Sequence, residues 1–245
     1  MSERSLEKVL SGIRALVLDV DDTIVDTRTA MTSAGTVAAR ALWPGPGHPH
    51  RQMAQRYYDD PGGWFRRYTA GEISVVQMRL ARLRDVADTF SVDLPSDARE
   101  RYLAAYIPAF RSVQRLFDDV PALLAAADRR GAPVVLLTNS NRVDTAVKLE
   151  AVGLAERFAG RVVTTDTLGV GKPDRRVYLE ACRRVAADPA RTVSIGDSLE
   201  WDVLGAVAAG LRGIWLDRAG SGAGRHPAIH TLEAVTAVLT SATRP

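Results

Sequence analysis

Residues 16–23 read LVLDVDDT, an apolar run that is followed directly by three closely spaced aspartates. Residues 15–18 are apolar without alternation, which predicts a strand buried on both faces of a parallel sheet. Asp19, Asp21 and Asp22 follow at the expected C-terminal end of that strand. Like charges this close raise one another's pKa, so a cation or a shared proton is expected to offset them. The stretch therefore predicts a functional site; the alternative is a solvated turn that caps a helix.

Length and charge narrow the class of protein. At 245 residues the chain is long enough for one large domain or for a domain that carries an insertion. The net charge is +3, but basic and acidic residues are interspersed, and no long basic run argues for a nucleic-acid partner. The mildly positive balance is compatible with a small anionic substrate. We expect a monomer or a homodimer.

The single cysteine, Cys182, excludes an intrachain disulfide and a cysteine-based zinc site, and we expect it to be a small packed side chain in a helix. Residues 1–14 are charged throughout and contain no apolar region of signal-peptide length. No segment approaches the roughly 20 apolar residues of a membrane span. The sequence therefore predicts a cytoplasmic protein with no membrane partner.

From Asp118 onward, strand and helix patterns alternate. Strands are predicted at 134–137, 161–166, 192–195 and 213–216, and helices at 121–130, 142–152, 173–187, 199–209 and 231–241. The polar third strand, 161–166, is expected near an edge of the sheet. Alternation of this kind implies right-handed crossovers. The predicted fold is therefore α/β, with a doubly wound parallel sheet and helices on both faces.

Residues 28–117 show helix-like patterns and no convincing strand, and they interrupt the strand–helix alternation after the first strand. They contain helix-like stretches at 29–42, 73–89 and 96–109, and the segment WPGPGHPH at 43–50 cannot be regular structure because its prolines fix φ and lack donors. We predict an α/β core formed by 1–27 and 118–245, with 28–117 as an inserted helical domain.

Polar side chains follow three of the predicted buried strands, and a lysine precedes one of the helices. In open α/β sheets, ligands bind beyond the C-terminal ends of the strands, so these groups are expected to converge there. Together they suit phosphoryl transfer assisted by Mg²⁺, in which a carboxylate attacks phosphorus and a second one handles the proton. The groups are Asp19, Asp21, Thr138, Asn139, Lys172, Asp197 and Asp202.

This set resembles the four ordered motifs of the haloacid dehalogenase-like (HAD) hydrolase superfamily. The motifs here are DVDDT at 19–23, Thr138-Asn139, Lys172-Pro173, and Gly196-Asp197 followed by Asp202. They occur in the family's order and span the whole predicted core. In that family the insertion after the first motif is a helical cap, which is where 28–117 lies. Asp22 stands where Gly is commoner in the family, although many members carry Asp there.

The resemblance implies a role for each residue of the acidic set. Asp19 matches the nucleophile, and Asp21 matches the general acid/base. Asp19, the backbone carbonyl of Asp21, and Asp197 match the ligands of Mg²⁺. Asp202 matches an acidic position that supports the metal's waters or the motif lysine.

The remaining motif residues match positions that hold the transferring phosphoryl group: Thr138, Asn139 and Lys172. Since Asp21 is present, a phosphate ester is the expected substrate, because the family's dehalogenases need no acid/base two residues after the nucleophile. The block 28–117 contains no lysine, which argues against phosphonate cleavage through a Schiff base. The sequence thus predicts a phosphatase acting on a small phosphorylated metabolite. A sugar phosphomutase, a dehalogenase and a non-catalytic binding module are the alternatives.

Substrate choice is expected to lie in the helical block. Arg79 and Arg82 share a helix face and are candidate substrate contacts, with a solvated surface as the alternative. His48 and His50 have metal-like spacing, but no acid or thiol adjoins them to complete a structural metal site. The glycine-rich segment 220–224 lacks the Lys-Ser/Thr ending of a phosphate-binding loop and is predicted to be a flexible loop.

Overall fold

The computed structural model describes residues 1–220 and 226–241. The chain forms two compact units. The first comprises Met1–Val25, Leu116–Leu149 and Gly153–Pro245, and the second comprises Asp26–Arg115 with Glu150–Val152. The predicted limits of the inserted block, 28 and 117, each lie two residues from the limits of the long stretch 26–115.

Six parallel strands make up the sheet of the α/β unit within the described residues. Their order is β3-β2-β1-β4-β5-β6, so that β1 lies centrally between β2 and β4. Leu16 pairs with Val134 on one side and with Val193 on the other. The strands are β1 Ala15–Leu18, β2 Val134–Leu137, β3 Val162–Val163, β4 Thr192–Gly196, β5 Arg212–Leu216 and β6 Ala228–Ile229. The predicted doubly wound α/β class is confirmed.

Helices connect and flank these strands, as buried apolar strands require. β1, β2 and β4 are buried along their whole length. The helices that lie wholly or mostly in this unit are α1 Glu3–Leu10, α7 Val120–Arg130, α8 Arg142–Ala151, α9 Thr165–Leu168, α10 Arg175–Arg184, α11 Gly205–Ala208 and α12 Glu233–Ser241. The N-terminal helix α1 was not predicted. Its face with Leu6 and Leu10 is buried.

The predicted strand 161–166 is wrong beyond Val163. Thr164 and Thr167 form a capping box that starts α9, and the backbone N–H of Thr165 donates to the carbonyl of Ser140 at 3.2 Å. These local bonds satisfy backbone groups that a longer strand would have paired with the sheet. β3 does lie at one edge of the sheet, as its polar sequence indicates.

The helix predicted at 199–209 begins as a π-helical turn, Leu199–Leu204, and only then becomes α11. Gly205 begins α11 against Tyr178, and a Cβ at Gly205 would lie 2.3 Å from the Tyr178 hydroxyl oxygen. The hydroxyl of Tyr178 donates to the carbonyl of Trp201 inside the π turn. The glycine therefore permits close packing of this segment on α10.

The helical unit contains α2 Thr27–Leu42, α3 His50–Asp59, α4 Trp64–Thr69, α5 Val75–Phe90 and α6 Ala98–Ser112. Neither α3 nor α4 was predicted. α3 begins directly after the proline-rich segment and carries mostly polar residues, so its sequence lacks a clear helical pattern of apolar residues. The buried residues Met53 and Tyr57 nevertheless place one face of α3 in a core that includes Leu83 and Tyr102.

Hydrogen bonds bring together the chain segments on either side of the insertion point, within each unit. In the α/β unit, Val25 forms a β-bridge with Leu116, and the Phe117 N–H donates to the Ile24 carbonyl at 3.1 Å. In the helical unit, the Asp26 carboxylate accepts from Arg115 Nε at 3.0 Å. An insertion can be tolerated at such a point because its ends are fixed close together.

No helix in the described ranges has the length and apolar character needed to span a bilayer. The glycine-rich segment at 220–224 lies outside the described residues, apart from Gly220, so the prediction of a flexible loop is not addressed by the structure.

Candidate active site

The predicted site residues of the α/β unit lie at the C-terminal edge of the sheet. Asp19 follows β1, Thr138 and Asn139 follow β2, and Asp197 follows β4. Because β1 is flanked by β2 and β4, three chain segments far apart in sequence end side by side. Lys172 comes from the loop before α10, and Asp202 comes from the π turn.

Lys172 is the buried cation of this site, with a side chain only 3% exposed. Its Nζ donates to Asp19 Oδ1 at 2.6 Å, to Asp202 Oδ1 at 2.6 Å and to the Leu137 carbonyl at 3.0 Å. These bonds use all three donors of the ammonium group. The lysine therefore links the ends of β1 and β2 to the π turn.

Asn139 fixes the backbone of Lys172. Its Nδ2 donates to the Lys172 carbonyl at 3.0 Å, and its Oδ1 accepts from the Lys172 N–H at 2.6 Å. A Cβ at Gly171 would lie 2.4 Å from that Oδ1, so glycine is required for this approach. In this structure the amide of Asn139 thus positions Lys172, and a direct contact of Asn139 with a phosphoryl group stays a prediction.

Asp21 has its carboxylate held at both oxygens. The Thr138 hydroxyl donates to Oδ2 at 3.1 Å, and the ammonium of Lys148 donates to Oδ1. Asp22 adopts a left-handed conformation with φ of 58°, and its N–H donates to the Val25 carbonyl at 2.8 Å, which reverses the chain after β1. Asp22 therefore shapes the turn that returns Asp21 toward the site.

Sequence reasoning missed Lys148. It lies on α8, is 4% exposed, and shares the buried face of that helix with Thr145 and Leu149. A lysine on the apolar face of a predicted helix is a usable signal, because a buried ammonium group needs a partner. The partner itself could not be predicted, since it lies 127 residues away.

A metal ion would fit the acidic part of the site. Asp19, Asp197 and Asp202 each offer a carboxylate oxygen, and these oxygens lie within 4.8 Å of one another. Hard carboxylate oxygens are the ligands that Mg²⁺ prefers. Asp202 accepts at Oδ1 from Lys172 and at Oδ2 from the Ser198 N–H at 2.9 Å. Asp202 is therefore better suited to support the site, and Asp19 and Asp197 to bind the ion.

The electrostatics of the cluster favour a further cation. Burial raises the pKa of Asp19 to about 7, and Asp202 and Asp21 add to that shift while Lys172 opposes it. Asp197 is exposed as a residue, but its carboxylate belongs to the cluster, where partial desolvation and the charges of Asp19 and Asp202 raise its pKa. The pKa of Lys172 is raised because Asp19 and Asp202 outweigh its burial, so the lysine stays charged. The single ammonium of Lys172 does not balance the three carboxylates of Asp19, Asp197 and Asp202.

The candidate residues of the helical unit have different surroundings. Arg82 is 8% exposed, forms an ion pair with Asp60 at 3.2 Å, and lies 5.5 Å from the centroids of the Tyr57 and Phe65 rings. Arg82 is therefore buried and paired rather than on a solvated surface, and its contact with substrate stays a prediction. Arg79 is half-buried on the same helix, and its contact with substrate stays a prediction.

The histidine pair and the single cysteine that the sequence singles out lie outside the candidate active site. His50 Nε2 lies 2.7 Å from the Trp43 carbonyl, and neither His48 nor His50 belongs to a potential metal-binding group among the described residues. Cys182 is a buried free cysteine in the core of the α/β unit, as predicted.

Comparison with known proteins settles the family. A family model described as haloacid dehalogenase-like hydrolase matches residues 13–210. The chain belongs to the haloacid dehalogenase-like hydrolases. The match covers β1 to the end of the segment after β4, and thus every candidate site residue of the α/β unit.

Relatives of this hydrolase carry different names. Phosphoserine phosphatase of Thermus thermophilus is 37% identical over 120 residues, which is 49% of this chain and 48% of that protein. (S)-2-haloacid dehalogenase 1 of a Pseudomonas species is 26% identical over 215 residues, 85% of this chain and 86% of that protein. The chain thus spans only about half the length of the first of these relatives.

A solved structure shares the fold of this hydrolase along nearly its whole length. The HAD-hydrolase YfnB from Bacillus subtilis, bound to magnesium, is similar with a TM-score of 0.73 and 22% sequence identity. The alignment covers 93% of this chain and 98% of that one. At this identity the likeness shows the fold alone.

Proposed function

We propose that this chain is a Mg²⁺-dependent phosphatase that hydrolyses a small phosphorylated metabolite through a phosphoryl group carried on Asp19. The observation that carries the proposal is the pair Asp19 and Asp21 at the end of β1, one held by Lys172 and the other by Thr138 and Lys148. A nucleophile and a proton carrier at one strand end suit phosphate-ester hydrolysis. The likeness to a phosphoserine phosphatase supports the proposal.

In the first step, an Asp19 oxygen attacks phosphorus and the bond from phosphorus to the leaving oxygen breaks. Asp21 gives its proton to that oxygen, and the alcohol departs. Lys172 holds Oδ1 of Asp19 in one orientation and places a positive charge beside the oxygens of the phosphoryl group. The product of this step is an acyl phosphate on Asp19.

In the second step, Asp21 takes a proton from water, and the water oxygen attacks the phosphorus of the acyl phosphate. The bond from phosphorus to Asp19 breaks, inorganic phosphate leaves, and Asp21 again carries a proton for the next cycle. The two steps consume one ester and one water, and they release one alcohol and one phosphate. Thr138 orients Asp21 in both steps through its 3.1 Å hydrogen bond.

Asp19, Asp197 and the backbone carbonyl of Asp21 would hold Mg²⁺, with Asp202 in support. When bound, the ion would neutralise charge on the phosphate oxygens and orient them toward the attacking carboxylate. The crowding that raises the pKa values of Asp19 and Asp197 would then be relieved.

Dehalogenation of a 2-haloacid is a second candidate, favoured by the likeness to a dehalogenase over 85% of the chain. Asp21 argues against it, because carboxylate attack on carbon with loss of halide needs no proton on the leaving group. We therefore rank it below phosphate-ester hydrolysis.

A panel of phosphorylated metabolites, p-nitrophenyl phosphate and 2-chloropropionate tests both candidates. The variants are Asp19→Asn and, as a matched control, Asp88→Asn, which makes the same change at an exposed helix position. We expect phosphate release that EDTA abolishes and Mg²⁺ restores, lost in Asp19→Asn and kept in Asp88→Asn. Chloride release without phosphate release would favour the dehalogenase, and isomerisation of a sugar phosphate without phosphate release would favour a mutase.

A further inference from the structure

Lys148 lies next to the proposed acid/base residue but has no place in the two-step scheme above. Its side chain is 6% exposed, and its ammonium group donates to Asp21 Oδ1, while Ser140 Oγ lies 3.4 Å from the same Nζ. A buried ammonium group is costly unless it is paired and hydrogen-bonded. The chain has only three lysines, at positions 8, 148 and 172, and the latter two pair with carboxylates after β1.

The loop after β2 and helix α8 supply a matched pair of donors to one carboxylate. Thr138 reaches Oδ2 of Asp21, and Lys148 reaches Oδ1. The Thr138 hydroxyl oxygen also accepts from the Ser140 N–H at 3.0 Å, which aims the hydroxyl hydrogen at Asp21. Two donors on the two oxygens of a carboxylate fix its plane as well as its position.

We propose that Lys148 is a positioning residue for Asp21 and that it sets the orientation in which Asp21 serves the leaving group. The inference rests on the proposed function, because it needs Asp21 as the proton carrier. Its physical basis is that proton transfer requires an acid within hydrogen-bond reach and correctly aligned. The side chain of Asp21 comes from the loop after β1, and the donors Thr138 and Lys148 come from the loop after β2 and from α8.

The leaving group provides a readout that a merely structural role would not affect. Departure of an alkoxide requires a proton, whereas p-nitrophenolate is stable enough to leave almost without one. Misalignment of Asp21 should therefore slow alkyl phosphates far more than aryl phosphates. kcat/KM is the right quantity, because it reports the steps through loss of the leaving group and not the later hydrolysis of the acyl phosphate.

The test compares Lys148→Met with wild type on an alkyl phosphate and on p-nitrophenyl phosphate. We expect kcat/KM to fall by about 10- to 100-fold on the alkyl ester and by less than about threefold on the aryl ester, within the range that general acid catalysis contributes. Lys148→Arg, which keeps a cationic donor, should recover most of the loss. Lys8→Met, at an exposed position on α1, is the matched control and should change neither rate.

Asp21→Asn and the double variant distinguish the possible failures. Asp21→Asn should show the same dependence on the leaving group, and adding Lys148→Met to it should cause little further loss, because the two residues act as one unit. If Lys148→Met lowers kcat/KM equally on both esters, while Asp21→Asn lowers it far more on the alkyl ester than on the aryl ester, the role of Lys148 alone is overturned. Equal losses in Asp21→Asn would overturn the acid role of Asp21 and the inference with it. If Lys148→Met does not fold, Lys148→Gln is measured in its place.

Discussion

At the scale of the residue, Lys172 organises the site because two buried carboxylates share its ammonium group. Asp19 and Asp202 are 6% and 2% exposed, and each accepts from Nζ at 2.6 Å. The desolvation cost of these charges is offset only while the cation is present. The same contact that stabilises the fold also places positive charge where a phosphoryl group would arrive.

We predict that Lys172→Met abolishes phosphate release and lowers the free energy of unfolding by about 3–5 kcal/mol, the usual cost of removing one partner from a buried ion pair. Urea denaturation followed by circular dichroism measures the loss. Lys8→Met removes an exposed lysine and should leave both properties unchanged. Wild-type stability in Lys172→Met would show that the ion pairs contribute nothing to folding.

Some residues could be predicted from the sequence, and others could not. Asp19 and Thr138 each follow an apolar run, and Asp197 follows the predicted strand 192–195, so the strand pattern alone places all three at the sheet edge. Lys148 and Arg82 have roles that depend on carboxylates 127 and 22 positions away, and no local pattern encodes those pairs.

At the scale of the element, β4 and the π turn approach so closely that no side chain fits between them. A Cβ at Gly196 would lie 2.2 Å from Cγ of Asp202. The approach allows Asp202 to accept from the Ser198 N–H while it also holds Lys172. The glycine at the end of β4 is therefore a condition for the ion-pair arrangement.

Gly196→Ala should displace Asp202, lower the free energy of unfolding by about 1–3 kcal/mol as overpacking does, and reduce kcat by at least about tenfold. Gly47→Ala is a matched control, because a Cβ there meets nothing within 4 Å. Thermal unfolding and steady-state kinetics report the two effects. An active, stable Gly196→Ala protein would contradict the argument that this approach is needed.

Element types were more predictable than element boundaries. The buried strand 134–137 was predicted with its observed limits, because an apolar run stops sharply at Thr138. The strand predicted at 161–166 ends early, since the capping box of Thr164 and Thr167 competes for the backbone. The π turn at Leu199–Leu204 has no sequence pattern that separates it from an ordinary helix.

At the scale of the whole molecule, the α/β unit is built from segments on both sides of a long insertion, and an ion pair joins them. Arg218 donates to both oxygens of Asp119 at 2.9 Å and to the Thr23 carbonyl at 2.8 Å. The Leu232 N–H also donates to Asp119 at 2.8 Å. This cluster connects the turn after β1, the start of α7, and the segments before and after β6.

The cluster predicts how stability depends on pH. Burial raises the pKa of Asp119, but the bonds from Arg218 and Leu232 outweigh it and hold the pKa below its usual range. A carboxyl with a lowered folded-state pKa contributes stability above its unfolded value of about 4, and that contribution is lost as the pH falls through the folded value.

Asp119→Asn should therefore be less stable than wild type at neutral pH, by about 1–3 kcal/mol for the lost charged hydrogen bonds. The difference should shrink as the pH falls below about 4. Denaturation curves across this range measure it, with Asp88→Asn as the exposed control. A difference that does not change with pH would mean that the charge of Asp119 is not what stabilises the fold.

The division into two units could be predicted from the sequence. Residues 28–117 contain only helix-like stretches, whereas strand and helix patterns alternate from Asp118 onward. The identity of the substrate was not predictable, since the roles proposed for the motif residues concern only the phosphoryl group.

Rapid quenching during turnover shows whether Asp19 carries the phosphoryl group, as we propose. The enzyme is mixed with Mg²⁺ and a phosphate ester that it hydrolyses, and the reaction is stopped with acid within milliseconds. The protein is then digested and analysed by mass spectrometry. We expect a phosphoryl adduct, labile to hydroxylamine, on the peptide that contains Asp19, and we expect its loss in Asp19→Asn. Phosphate release that continues in Asp19→Asn, or an adduct on another residue, would contradict the proposal.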